Sequence, residues 1–185
     1  MTKPCYYVDR WIEPQEAEYQ FTTLKAEIPW LNVAGNRLEY WTNTFTQPYT
    51  YGQGKGIRTY GAQPDHVIIK GIRDRLETAT GVFYEGCFLN YYRDGSDGIG
   101  WHSDDDPAID HSKPIAVVTL GCGRRIEYKA REPGSHPVGQ FLSPGSLFVM
   151  KPGMQQTHFH RIPKDDHAVG ERISLTFRSL RKASS

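Results

Sequence analysis

His102 and Asp104 stand two residues apart in the segment 90–106, NYYRDGSDGIGWHSDDD. In an extended chain, side chains two apart point to the same side, so one imidazole and one carboxylate face a common point. A second imidazole from elsewhere would complete the facial set of two His and one carboxylate that holds Fe(II) and leaves positions open. Downstream, Thr157-His158-Phe159-His160 offers two candidates on a β-like segment. Both histidines face the same way in a strand, so alternation does not choose between them. Beyond them, RISLTFR places Arg172, Ser174, Thr176 and Arg178 on one face and Ile173, Leu175 and Phe177 on the other. A planar guanidinium grips a carboxylate through two parallel hydrogen bonds. A metal triad followed by such a strand points to an iron oxygenase with a dicarboxylate co-substrate. Taken singly, the HxD fits an exposed polar turn and the arginine strand fits a surface strand, so the weight lies in their combination.

The elements that position these residues must fit in 185 residues, enough for one domain with a sizeable core (residues 1–185). Charged residues make up 23% and hydrophobic ones 38%, ordinary for a soluble globular chain. With 22 Lys+Arg against 21 Asp+Glu, the formal charge of +1 does not predict a nucleic-acid binder by bulk electrostatics and does not exclude one, since a local basic face suffices. Cys5, Cys87 and Cys122 lack zinc-knuckle or disulfide spacing and read as reduced, buried thiols. The start, MTKPCYYVDR, has no apolar run of signal-peptide length, and no run approaches the ~20 residues needed to span a bilayer. A soluble, intracellular protein without a membrane partner is expected.

Residues 1–80 read as N-terminal helices and an aromatic lid, and residues 81–180 as a β core. Helical spacing of Ala17, Phe21, Leu24 and Ile28 predicts a helix over 12–27, with Pro14 in its first turn. RLEYWTNTF reads as a strand and QPYTYGQGKGIRTYG as a hairpin or flap, with Tyr49 and Tyr51 on one face near Lys55 and Arg58. Aromatics interleaved with bases suit stacking on nucleobases beside phosphates, though such tyrosines also simply pack against a protein body. Residues 64–80 read as a second helix, capped by Asp65, with an Ile68, Ile69, Ile72, Leu76 stripe and Lys70, Arg73 and Arg75 on a solvated face. From Gly81 onward, short segments separated by Gly, Pro and Asp turns predict a sandwich or jelly roll.

As a whole, the stretch from Arg37 to Arg178 resembles the AlkB-type Fe(II)/2-oxoglutarate dioxygenases, nearest to the nucleic-acid demethylases among them. The motifs NYYRDGSDGIGWHSDD, GSLFVM, HRIP and RISLTFR carry that resemblance by their order and spacing. It implies a mainly β fold with flanking helices (α+β), built on a double-stranded β-helix or jelly roll. It implies His102, Asp104 and His160 as metal ligands; the step His160-Arg161-Ile162-Pro163, twelve positions before Arg172, favours His160 over His158. It further implies that Asn90, Tyr92, Arg172, Thr176 and Arg178 bind 2-oxoglutarate. Ser174 departs from the family's usual asparagine, which puts one hydrogen bond in that pocket in question. Arg37, Tyr49 and Tyr51 match the nucleotide-recognition lid, and Asp105 and Asp106 the acidic contacts to a target base.

The implied activity is oxidative demethylation of N-alkylated bases in DNA or RNA, using Fe(II), 2-oxoglutarate and O2 and releasing succinate, CO2 and formaldehyde. The partner would be a flipped or single-stranded base, the protein a monomer of the cytoplasm or nucleus. Alternatives are a 2-oxoglutarate oxygenase acting on a protein or small molecule, and a non-catalytic jelly-roll binding module. A zinc hydrolase would leave RISLTFR without a role.

Overall fold

Strand alternation sorts this chain's side chains between a helix-covered face and an interior between two sheets. In the computed structural model, residues 3–33, 35–51, 57–168 and 170–181 are described, Tyr51 by its backbone alone. The expected roles of Lys55 and of the Tyr51 side chain lie outside the described residues. The elements run β1 (Cys5–Val8), α1 (Pro14–Glu27), β2 (Leu38–Asn43), β3 (Tyr49–Tyr51), β4 (Arg58–Tyr60), α2 (Val67–Thr80), β5 (Gly86–Tyr92) and β6 (Ile99–His102). They continue with β7 (Ile115–Gly121), β8 (Arg124–Ala130), β9 (Val138–Leu142), β10 (Leu147–Met150), α3 (Met154–Thr157), β11 (His158–Ile162) and β12 (Arg172–Arg178).

A major sheet has the order β1-β10-β7-β12-β5-β2 and a minor one β6-β11-β8-β9, while β3 and β4 form a separate hairpin. Every named strand pair is antiparallel. This is the jelly-roll arrangement expected, with an added edge strand, β1, that the sequence reading left out. On the major sheet, Cys87, Leu89, Tyr91, Ile173, Leu175 and Phe177 form one core with Ala17 and Leu24 of α1 and Ile68, Ile69, Ile72 and Leu76 of α2. The alternate residues Phe88, Tyr92 and Val117 join Ile126, Leu142 and Ile162 of the minor sheet in a second core. The polar face of RISLTFR therefore looks inward, between the sheets, and all seven of its residues are buried.

The helices form where spacing predicts, with two differences at α2. His66, rather than Asp65, is the N-cap, its Nδ1 accepting from the Ile68 amide at 3.1 Å. Asp65 instead accepts from Thr42 Oγ1 at 2.6 Å and from the guanidinium of Arg73 at 3.0 Å. Arg73 is thus buried and paired, not part of a solvated face, because the turn before α2 brings a carboxylate under it. Gly81 ends the helix at φ +68°, a conformation glycine adopts without a Cβ penalty. Cys5 and Cys87 are buried, Cys122 is partly so, and all three are free. Among the described residues, no helix is long and apolar enough to cross a membrane.

Candidate metal centre and anion pocket

β6 and β11 run side by side with His160 directly opposite His102. Their rings lie 4.2 Å apart, centroid to centroid. Asp104 follows two residues beyond the end of β6, and one donor atom from each of the three residues lies within 4.8 Å of the others. His158 pairs with Ala130, the last residue of β8, and joins no such cluster among the described residues. Register, which alternation alone does not reveal, selects His160.

Hydrogen bonds hold two of the three donors, His102 and Asp104, in place. His102 Nδ1 lies 2.8 Å from the Gly100 carbonyl oxygen, so it carries the proton and donates it, leaving the Nε2 lone pair for a metal. Arg178 donates to Asp104 Oδ2 from Nε at 3.1 Å and Nη2 at 2.8 Å. Gln155 Oε1 accepts from the Asp104 backbone amide at 2.9 Å. Arg131 ties the same turn down, donating to Ser103 Oγ at 2.6 Å and to the Gln155 carbonyl at 2.9 Å. Sequence reasoning missed Gln155 and Arg131. Nothing local marks Gln155, since its partner lies 51 positions away.

Burial sets the protonation states. Desolvation pushes His160 down to about 3, with His102 beside it adding to the fall and Asp104 opposing it. Desolvation also lowers His102, again against the pull of Asp104. For Asp104, desolvation acts upward, but Arg178 and the two imidazoles outweigh it and hold the carboxyl well below the usual range. Two neutral imidazoles and one ionised carboxylate are the protonation states that bind a divalent ion. His160 Nδ1 is buried and finds no hydrogen-bond partner among the described residues. The donor set therefore suits Fe(II) at this point.

The cluster opens into a pocket enclosing about 590 Å³ of empty space, its mouth included. Asn90, Tyr92, Arg172, Ser174, Thr176 and Arg178 line it. Antiparallel pairing puts Ser174 opposite Asn90 on β5, and the two form a polar wall; Thr119 of β7, also opposite Ser174, is buried outside the pocket lining. Arg172 is fully buried and donates from Nη2 to Thr119 Oγ1 at 3.0 Å. Its Nε and Nη1 find no hydrogen-bond partner among the described residues. Burial lowers its pKa to about 10, against the pull of neighbouring Tyr92. A buried guanidinium without a carboxylate is costly, and a ligand anion relieves that cost. Arg178 also lines the pocket; two of its nitrogens hold Asp104, and its Nη1 finds no hydrogen-bond partner among the described residues.

Sequence comparison assigns the family. The profile of the 2OG-Fe(II) oxygenase superfamily matches residues 4–178. The chain belongs to that superfamily. Among its relatives, this oxygenase is 28% identical to human alpha-ketoglutarate-dependent dioxygenase alkB homolog 3 over 97% of the chain and 67% of the relative. It is 27% identical to bovine DNA oxidative demethylase ALKBH2 over 89% of the chain and 65% of that protein. The chain thus spans about two thirds of the length of these curated relatives. In shape it is similar to the solved structure of OsALKBH1, with a TM-score of 0.68 at 13% identity over 97% of this chain and 99% of that one.

Of the residues expected to contact a nucleotide, Arg37 and Tyr49 line the pocket. Arg37 is buried in the pocket wall, where its Nε donates to Asn90 Oδ1 at 2.6 Å and its Nη2 pairs with Glu39 at 2.6 Å. Tyr49 lines the pocket, stacked on Trp41 at 4.8 Å with the Arg178 guanidinium 5.5 Å from its ring. Asp105 and Asp106 lie outside the pocket lining. Asp105 is exposed and pairs with Arg131 at 3.1 Å, while Asp106 Oδ1 accepts from the Ala108 amide at 2.7 Å.

Proposed function

We propose that this protein is an Fe(II)/2-oxoglutarate-dependent dioxygenase that removes alkyl groups from the ring nitrogens of nucleic-acid bases. The observation that carries this reading is Arg172: a buried guanidinium with two unused nitrogens, in the same pocket as a His–Asp–His cluster. A metal-binding 2-oxo acid end and a distal carboxylate in one small molecule satisfy both features together.

His102, Asp104 and His160 would hold the iron. When bound, Fe(II) supplies the activation of O2, coupled to decarboxylation of the co-substrate to succinate and CO2. The chain supplies position. Arg178 and Gln155 keep Asp104 from rotating away. Arg172 takes the distal carboxylate and so fixes the depth of the co-substrate. Because Asn90 Oδ1 is taken by Arg37, its amide nitrogen is left to donate to a co-substrate oxygen. Phe88, Val117, Ile126 and Met150 line the remaining wall and exclude water.

Hydroxylation of an N-methyl carbon gives a hemiaminal, which breaks its C–N bond, releases formaldehyde and returns the proton to the base. A base reaches this depth only when flipped out or single-stranded, and Tyr49 is placed to flank it. The similarity to proteins named for dioxygenase and DNA demethylase activity supports the substrate class. The reading carries with it a monomer of the cytoplasm or nucleus, where free thiols persist.

Incubating methylated and unmethylated oligonucleotides, DNA and RNA, with enzyme, Fe(II), ascorbate and 2-oxoglutarate tests it by mass spectrometry. Loss of one methyl mass with stoichiometric succinate is expected. Succinate release that no methylated oligonucleotide stimulates, but a peptide or metabolite does, refutes the substrate class.

A further inference from the structure

Arg124, the first residue of β8, is fully buried, and the pocket described above does not reach it. Its Nη1 donates to the Asp94 carbonyl at 3.0 Å, and its Nη2 to the carbonyls of Asp97 at 3.0 Å and Pro163 at 2.7 Å. Those oxygens engage its two Nη groups but bring no net charge, and its buried Nε finds no hydrogen-bond partner among the described residues. Among the described residues it forms no ion pair with a carboxylate. The Tyr92 ring, which lines the pocket, is near both guanidinium groups: its centroid is 5.6 Å from the Arg124 guanidinium carbon and 5.2 Å from that of Arg172. Two uncompensated cations thus share one aromatic ring at the buried end of the pocket, where screening by water is weak.

We propose that Arg124 is a positioning residue that makes the pocket select a 2-oxo acid with an anionic tail over one with a neutral tail. It acts at one remove, adding its field to that of Arg172 and holding Tyr92 in place. The inference rests on reading the pocket as the 2-oxoglutarate site. It also assigns a role to a residue whose three carbonyl bonds alone would make it a loop clasp.

The test is calorimetric titration of Mn(II)-loaded protein, without O2, with 2-oxoglutarate and with 2-oxopentanoate, which has the same chain length but no distal carboxylate. Wild type should prefer 2-oxoglutarate. Arg124→Met should weaken 2-oxoglutarate about tenfold, the size of one partly screened charge interaction, and leave 2-oxopentanoate unchanged. Arg124→Lys, which keeps the charge and loses the fork, should retain the wild-type ratio. Equal weakening of both acids by Arg124→Met, or an unchanged ratio, overturns the proposal. If Arg124→Met does not fold, Arg124→Lys decides: a retained ratio supports the electrostatic role and a collapsed one refutes it. A wild type indifferent to the distal carboxylate would instead refute the 2-oxoglutarate reading itself.

Discussion

Replacing Arg178 by methionine removes the buried cation that keeps Asp104 ionised without changing the bulk of the side chain much. The pair is closed from solvent, with side-chain exposures of 7% and 2%, so water screens it little. Both partners' pKa values move in the direction that favours the charged pair, Arg178 up and Asp104 down. Losing one member of a buried pair costs roughly 3–5 kcal/mol, because the other charge is left unmatched. Here the neighbouring imidazoles can take up a proton and soften the loss, which favours the lower end, about 3 kcal/mol. For a chain of this size each kcal/mol moves the melting temperature by roughly 3 °C, so the metal-free variant should melt about 9 °C below wild type. Differential scanning fluorimetry reads this directly. Added Mn(II), which replaces the lost positive charge beside Asp104, should recover part of the drop. A shift under about 2 °C, or no response to Mn(II), would refute the electrostatic account of this pair.

The exposed Lys70–Asp74 pair provides the contrast: Lys70→Met should change stability by less than about 0.5 kcal/mol in a urea melt. Metal-free protein should lose stability as pH falls from 7 to 5. In that window the unfolded chain protonates both histidines near 6.5, while burial holds His160 near 3 and lowers His102 in the folded chain, which therefore takes up fewer protons. Asp104, held low, titrates only at more acid pH, and His160→Gln should flatten the slope between 7 and 5. Ser174→Asn, which adds an amide to the pocket wall beside Asn90 and Thr119, should tighten 2-oxoglutarate about fivefold, near the worth of one hydrogen bond; weaker binding would show that the wall has no room. Tyr49→Ala should raise the KM for methylated oligonucleotide while slow, uncoupled 2-oxoglutarate consumption continues.

Much of this site is legible in the residues themselves. Alternation in RISLTFR separates the arginine face from the apolar face, and HxD spacing puts two donors together. Alternation says nothing of which face is interior, however. A polar face buried between two sheets follows only from the helices covering the other side. Nor does it choose between His158 and His160, since strand register is a long-range property. Arg73 and Asp65 are legible as a helix surface and a cap, yet across eight positions the fold pairs the buried Arg73 with the partly buried Asp65. Arg124 did carry a signal: it shares a strand face with Ile126 and Tyr128, and a charge on an apolar face asks for partners.

The central claim is that one pocket holds Fe(II) on His102, Asp104 and His160 and the co-substrate's distal carboxylate on Arg172. Anaerobic addition of Fe(II) and then 2-oxoglutarate, followed by visible absorption, tests it most directly. A charge-transfer band should grow to one equivalent of each in wild type, vanish in His102→Ala and Asp104→Ala, and require excess 2-oxoglutarate in Arg172→Met. No band in wild type, or an undiminished band in Asp104→Ala, would contradict the claim.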